Sequence, residues 1–530
     1  MSPVTPGRRP PRPRARNLER PSMSSISTVI PHFVGGTRVE GTSERFSDVF
    51  DPSTGQVQAQ VALASKAEVD AAIADAAKAQ PAWAARNPQK RARVLNRFVG
   101  LINEHMQELA ELLSSEHGKT VPDAKGDIQR GLEVAEFATG VPHLLKGEFS
   151  DAAGTGIDVF SMRQPLGVVA GITPFNFPAM IPLWKLAPAI ACGNAFILKP
   201  SERDPSVPLR LAELALEAGL PAGILNVVNG DKEAVDAILD SETIKAVGFV
   251  GSTPIAQYIY ERAAQTGKRA QCFGGAKNHA IVMPDADMDD VVDALIGAGY
   301  GSAGERCMAI SVVVPVGQET ADRLVAALKP RVEALKISSP TDPDADYGPL
   351  VTADAKKRVE NYIQIGIDEG ATAVVDGRQG RVAGEDGGFY VAGTLFDHVT
   401  RDMRIYGEEI FGPVLSVSRV DTLDEAIALP SEHDYGNGVA IFTRDGHTAR
   451  EFARRVDTGM VGVNVPIPVP IAYHTFGGWK KSGFGDLNQH GPDSIRFYTR
   501  TKTVTQRWPK PASDSDSTAG GASFVIPTMD

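Results

Sequence analysis

Between residues 167 and 282 short, wholly apolar runs alternate with segments whose apolar residues recur every three or four positions. GVVAGI, AFILK, ILNVV and IKAVGFV have the length and composition of buried strands. The stretches near residues 179–191 and 207–218, and those after Asp231 and Pro254, have the helical period. Strict alternation predicts a parallel sheet with right-handed crossovers and a ligand at the strand C-terminal ends. The second half repeats the pattern: ISVVVPV near residue 310, helices near 319–336 and 353–368, then GVAIFT and GMVGVNV near 459–465. That predicts a second α/β unit, and no short repeat points to a solenoid. The longest apolar tract, residues 167–198, is interrupted by Pro174, Pro178, Pro182, Pro188, Asn176 and Lys185, which no membrane-spanning helix tolerates.

A chain of 530 residues exceeds one compact core, so two large domains are expected. Its 42% hydrophobic and 22% charged residues are those of a globular protein, and a net charge of −11 disfavours nucleic acid, leaving a small metabolite as the expected partner. Three cysteines, Cys192, Cys272 and Cys307, build no disulfide framework and fit a reducing, cytoplasmic setting. Residues 1–22 are rich in Arg and Pro without an apolar core, which excludes a secretory signal and reads as a disordered extension through residue 27. With no acid before Glu19, a transit peptide, and with it the mitochondrial matrix, stays open, although the prolines oppose an amphipathic helix, and Met23 is an alternative start. Residues 509–530, rich in Ser, Asp and Gly, read as a flexible tail.

GYGSAG at residues 299–304 matches a dinucleotide fingerprint but follows a helical pattern, so it is rejected. GFVGSTP at 248–254 is a better anion site: a strand ends, Ser252 or Thr253 can cap, and Pro254 suits a first helical turn. In KPSER, Lys199 and Glu202 can hold the two ribose hydroxyls of an adenosine, and the carboxylate would repel a 2′-phosphate, favouring NAD over NADP. Taken singly, GFVGSTP fits a plain helix cap equally well, and for KPSER alone surface charges are the better reading. Cys307, in GSAGERCMAI, has small neighbours and an adjacent guanidinium, Arg306, two conditions for a nucleophilic thiolate. Cys192 reads as core, and Cys272 fits either role. No metal-spaced His/Cys cluster and no G-x-S-x-G elbow occurs, and the ten histidines read as structural or solvated.

TPFNFP (173–178), KPSE, FVGST, GERC and EEIFGPV (408–414), in this order, resemble the aldehyde dehydrogenase superfamily from about residue 30 to 508. GAKNH (275–279), GERCMA, RGLEVAEF (130–137) and RFYTRTKTVTQRW resemble, within it, the CoA-acylating methylmalonate-semialdehyde dehydrogenases. The resemblance implies an α/β fold with a Rossmann-like NAD-binding domain (28–146 and 164–272), a catalytic domain (273–465) and oligomerisation elements (147–163 and 466–508) that pair subunits into a dimer or tetramer. It carries over Cys307 as nucleophile and Asn176 as oxyanion amide, partnered by the Cys307 backbone N–H. Thr173, Phe175, Lys199, Glu202, Arg203, Gly251 and Ser252 go to the NAD pocket, with Glu409 and Phe411 on the nicotinamide riboside. Arg130 and Arg306 are implied carboxylate ligands, although a helix-surface ion pair is the default for Arg130 alone. Arg306 has a second candidate duty, lowering the Cys307 pKa.

Hydrolytic relatives have a Glu heading an E-L-G-G-K segment, and aligning on GAKNH places Phe273 there. Without that base an acyl-cysteine should wait for a better nucleophile, the thiol of coenzyme A. The implied reaction is oxidative decarboxylation of methylmalonate or malonate semialdehyde to propionyl-CoA or acetyl-CoA, CO₂ and NADH. A dehydrogenase releasing the free acid is the alternative.

Overall fold

A computed structural model describes residues 28–154, 156–383 and 387–508 of the chain. The expected N-terminal extension and C-terminal tail lie outside the described residues.

The alternation becomes an eight-stranded sheet in the order Gly483–Phe484, Arg269–Phe273, Ile244–Val250, Val168–Ile172, Ala195–Lys199, Leu225–Val227, His32–Val34, Thr37–Val39. Its five central strands run parallel, and the flanking ones are antiparallel. From Val168–Ile172 the chain builds outward through Ala195–Lys199 and Leu225–Val227, then returns on the other side with Ile244–Val250. The direction of winding therefore reverses between Val168–Ile172 and Ile244–Val250, and such a switch opens a crevice at the C-terminal ends of those two strands.

The Met180–Ala191 helix is buried at every position, which explains an apolar surface with no polar face. It has no cap of its own, and Asp127, on the neighbouring Val121–Thr139 helix, accepts from the Met180 N–H at 2.7 Å instead. Among the described residues no helix is long and apolar enough to cross a membrane.

The second sheet has the order Thr372–Val375, Thr394–Asp397, Val414–Val417, Ile310–Pro315, Asn278–Val282, Gly438–Phe442, Met460–Val463, parallel except for its first strand. The chain passes from Arg269–Phe273 of the first sheet through residues 274–277 straight into Asn278–Val282 of the second. Each sheet has its own apolar core, one including Val169, Phe196 and Val247, the other Val313, Leu415 and Ile441. A smaller cluster joins the two edges, with Val250 and Phe273 from the first sheet, Met308 and Met460 from the second, and Trp184 and Phe476 beside them.

A three-stranded antiparallel sheet stands apart from both, with Ile157–Pro165 flanked by Phe149–Gly154 and paired along its whole length with Thr499–Arg507. A further small sheet of Val29–Ile30, Gln56–Ala62 and Phe46–Asp51 has no counterpart among the sequence expectations.

Candidate active site

Cys307 lies in the loop that leads from the Met288–Tyr300 helix into the strand Ile310–Pro315. The fingerprint-like glycines end that helix and form the 3₁₀ turn Gly301–Gly304, away from any strand end, as the sequence argument required. Ser302 and Ala303 have positive φ, and Gly304 at φ 73° lies so close to the backbone that a Cβ would stand 2.2 Å from the Gly412 oxygen. A side chain there would displace the EIFGPV segment.

Two asparagines that sequence reasoning gave no role hold this loop. Asn278 Nδ2 donates to the Cys307 and Ala309 carbonyls, both at 2.9 Å, while its oxygen accepts from the Gly438 N–H at 3.0 Å. Asn437 Nδ2 donates to the Cys307 carbonyl at 3.0 Å. Asn278 opens one strand and Asn437 directly precedes another, so the N-terminal edge of the second sheet fixes the backbone of Cys307.

The three cysteines differ in exposure and not in acidity. Cys192 and Cys272 are buried and Cys307 is partly exposed, yet burial pushes all three thiols up to about 12. For Cys307 the Glu409 carboxylate raises it further, and the cation pulling the other way is Lys119. This corrects the expectation that Arg306 lowers the thiol pKa. The Arg306 guanidinium turns to the Val121–Thr139 helix, where Nη2 pairs with Asp123 Oδ1 at 2.6 Å.

Phe273, 5% exposed, ends its strand inside the cluster on which Cys307 packs. Its ring meets Phe476 edge-on at 6.3 Å. The Lys185 ammonium lies 5.8 Å from the ring centroid, is hydrogen-bonded to Gln489 at 3.1 Å and is pushed down to about 7 by burial. No carboxylate occupies that position.

Asn176 is buried in the irregular segment between Ile172 and Met180, at the winding reversal. Its carbonyl accepts from Lys119 Nζ at 2.7 Å, and its side-chain amide takes part in no hydrogen bond among the described residues. Phe177 of the same segment packs against the cluster on which Cys307 also packs.

The residues expected to hold NAD cluster at the same crevice. Thr173 follows one switch-point strand, its backbone N–H donates to the Lys199 carbonyl at 3.1 Å, and its buried hydroxyl has no partner. Gly251 follows the other strand, and a Cβ there would meet the Phe249 ring at 2.5 Å. Ser252 is the N-cap residue of the Thr253–Gln265 helix but its hydroxyl makes no capping bond, and Thr253 Oγ accepts from the Gly275 N–H at 2.8 Å. Neither side chain caps as anticipated, so the helix end presents backbone to the crevice. Lys199 Nζ and Glu202 Oε2 pair at 3.2 Å. Burial alone would raise the Glu202 carboxyl, but Lys199, a backbone hydrogen bond and Arg203 outweigh it and hold the group below its ordinary range. Phe175 lies between the Arg203 guanidinium, 4.8 Å from its ring centroid, and Phe411, met edge-on at 5.9 Å. Glu409 is half-buried, accepts from the Ala276 N–H at 2.9 Å and is raised to about 6 by desolvation. Glu409, Phe411 and Cys307 line one cavity of ≈ 10 Å³, roughly one water in size.

Arg130 pairs with Glu133 at 2.5 Å, the surface pair its helical spacing allows, and also donates through Nη2 to the Pro470 carbonyl at 2.9 Å. Ile467 and Val469 of that loop pack on the Cys307 cluster. Asp123, which holds Arg306, and Arg130 lie seven positions apart on one helix face, about 10 Å along its axis. Among the described residues no group of three or more His, Cys, Asp or Glu is arranged to hold a metal ion.

Cys307 stands in the loop before the central strand of the second sheet, and residues 39–504 match the aldehyde dehydrogenase family, to which the chain belongs. Within that family it is 57% identical, over 498 residues, to the malonate-semialdehyde dehydrogenase of Pseudomonas aeruginosa, covering 94% of this chain and 99% of the relative. A structure from Sinorhizobium meliloti 1021, described as a methylmalonate-semialdehyde dehydrogenase complexed with NAD, is 66% identical and superposes with a TM-score of 0.91 over 93% of this chain and 100% of that one. The methylmalonate-semialdehyde dehydrogenase of Oceanimonas doudoroffii, 55% identical, has the same TM-score over 92% and 100%.

Proposed function

We propose that this chain oxidises malonate or methylmalonate semialdehyde with NAD, releases CO₂ and passes the acyl group to coenzyme A. The observation that carries this reading is Phe273, an apolar ring at the position where a hydrolytic enzyme needs a carboxylate, in the cluster on which Cys307 packs.

The crevice residues fit NAD: a helix end without a side-chain cap, a glycine that admits no Cβ, and an ionised Glu202 that would repel a 2′-phosphate. Thr173, Phe175, Lys199, Glu202, Arg203, Gly251 and Ser252 would hold its adenosine and phosphates, Glu409 and Phe411 its nicotinamide riboside. Bound there, NAD supplies the hydride acceptor. Cys307 attacks the aldehyde carbon after losing its proton. The Asn176 amide and the Cys307 N–H stabilise the developing oxyanion, and loss of one such donor typically costs ~10²–10³ in rate. Arg130 and Arg306 bind the substrate carboxylate by planar guanidinium contacts.

Loss of hydride leaves a malonyl-type thioester on Cys307. Breaking the bond to the β-carboxylate releases CO₂ and leaves an enolate that the same oxyanion hole stabilises. Protonation at carbon gives a propionyl or acetyl thioester, which the CoA thiol attacks, expelling Cys307. For malonate semialdehyde the sum is semialdehyde, CoA and NAD⁺ to acetyl-CoA, CO₂ and NADH, balanced in atoms and charge.

The division into an NAD-binding part and a catalytic part is supported by the two sheets with separate cores, and the Ile157–Pro165 and Thr499–Arg507 pair is the element we assign to dimer or tetramer assembly in the cytoplasm. The test is NADH formation from methylmalonate semialdehyde by purified protein, with and without CoA, with the acyl product weighed. CoA-dependent turnover to propionyl-CoA supports the reading, and CoA-independent release of a free acid overturns it.

A further inference from the structure

The turn between the Met106–His117 and Val121–Thr139 helices places one lysine where no solvent reaches it. Gly118, at φ 93°, ends the first helix, the Thr120 side chain caps the second, and the Ser114 hydroxyl donates to the Lys119 carbonyl at 2.6 Å, so the Lys119 backbone is held on both sides. The Lys119 and Asp127 side chains are fully buried and pair at 3.2 Å. A buried ion pair is a poor source of stability, because desolvation offsets its attraction, but it fixes geometry.

What this pair fixes is the segment carrying the oxyanion amide. Lys119 Nζ donates to the Asn176 carbonyl at 2.7 Å, and Asp127 Oδ1 accepts from the Met180 N–H at 2.7 Å. The two ends of the stretch from Asn176 to Met180 are thus tied to two opposite charges that are tied to each other. The stretch itself includes Pro178, which has no N–H to donate, so regular structure cannot do this work. The same ammonium lies 4.4 Å from the Phe177 ring centroid, and Phe177 and Cys307 pack in one cluster.

We propose that Lys119 and Asp127 form a positioning clamp that aims the Asn176 amide at the reacting carbonyl and places a fixed positive charge beside Cys307. This rests on the proposed roles of Asn176 and Cys307. The buried groups around the ammonium include His117, Asp204 and Glu305; the His117 ring nitrogens and the Asp204 carboxyl oxygens have no hydrogen-bond partners among the described residues, and all three groups sense the Lys119 charge. The Cys307 thiol also senses it and is pulled down by it. Removing the ammonium should therefore disturb the oxyanion hole and the nucleophile together.

The experiment compares wild-type protein, Lys119→Met and Asp127→Asn. It measures kcat and KM for semialdehyde with saturating CoA, the Kd for NAD, and the pH profile of Cys307 alkylation by iodoacetamide. The clamp predicts kcat falling ~10²-fold in Lys119→Met, as for loss of an oxyanion donor, with the NAD Kd within about twofold of wild type and the alkylation profile displaced to higher pH. A role confined to folding would lower the yield of active protein and leave the alkylation profile in place. If Lys119→Met does not fold, Asp127→Asn, which keeps an oxygen for the Met180 N–H and removes only the charge, decides: kcat should fall about tenfold, and the alkylation profile should move to lower pH, because the ammonium has lost its counter-charge. A folded variant with wild-type kcat and alkylation profile overturns the clamp. An inactive wild type with intact alkylation would instead sink the functional reading on which it rests.

Discussion

Replacing Phe273 by glutamate should turn an acyl-transferring site into a hydrolytic one. The new carboxylate would stand at the end of the Arg269–Phe273 strand, in the cluster that packs on Cys307. Its cost is readable from the surroundings. The edge-on contact with Phe476 at 6.3 Å is lost, worth about 0.5–1.5 kcal/mol, and burial of a carboxylate costs several kcal/mol. Lys185, 5.8 Å from the present ring centroid, returns part of it, since unit charges at that distance attract by about 3 kcal/mol at an effective dielectric constant of about 20. The variant should fold with a lower Tm, and its base should speed water attack on the acyl-cysteine by ~10²–10⁴. The assay is a rapid-quench turnover without CoA, following NADH by absorbance and the acyl product by mass. We expect NADH in wild type to stop near one equivalent per site, and Phe273→Glu to continue, yielding free propionate. A folded Phe273→Glu that makes its first equivalent of NADH but releases no more acid than wild type would refute the argument from the missing base.

Three further outcomes are expected. Because burial holds the Cys307 thiol near 12, the thiolate fraction at pH 8 is about 10⁻⁴, so alkylation of the free protein should rise about tenfold per pH unit from 7 to 10. Peptide mapping should find label on Cys307 before Cys192 or Cys272, and a plateau near pH 8 would contradict this. Arg130→Gln and Arg306→Gln should each raise KM for the semialdehyde ~10-fold or more while leaving the rate with propanal, which lacks the carboxylate, within about threefold. Equal losses on both substrates would show a structural effect instead. Glu202→Gln removes the charge facing a 2′-phosphate, and kcat/KM with NADP should improve relative to NAD by about tenfold, an unchanged ratio counting against the assignment.

The strands and helices were legible because buried parallel strands are uniformly apolar and the helices between them are not. AFILK and IKAVGFV carry that signature. The strands Thr37–Val39 and Phe46–Asp51 were not, because they are short, largely solvent-facing and lack a clean apolar face. Cys307, Asn176 and Glu409 were recognisable from the ordered motifs around them. The partners that fix them were not, because they come from far along the chain. Asp123 reaches Arg306 across 183 positions and Asn437 reaches the Cys307 carbonyl across 130. For the same reason the expected effect of Arg306 on the thiol failed: adjacency in sequence put the two side chains side by side, and the Asp123 contact turned the guanidinium elsewhere. Lys119 gave no distinguishing signal, since an isolated lysine reads as solvated until its burial is seen.

The path of the chain between the two sheets has an architectural consequence. The chain leaves the first sheet after Phe273 and rejoins it at Gly483, so everything between is a guest spliced into a host. The two splice points touch: the Gly274 N–H donates to the Ser482 carbonyl at 3.1 Å, and the Ser482 hydroxyl donates to the Gly275 carbonyl at 2.7 Å. A guest whose ends meet can be exchanged between relatives without stretching the host, and Phe273, to which we assign the fate of the acyl group, is the last residue the host contributes before the junction.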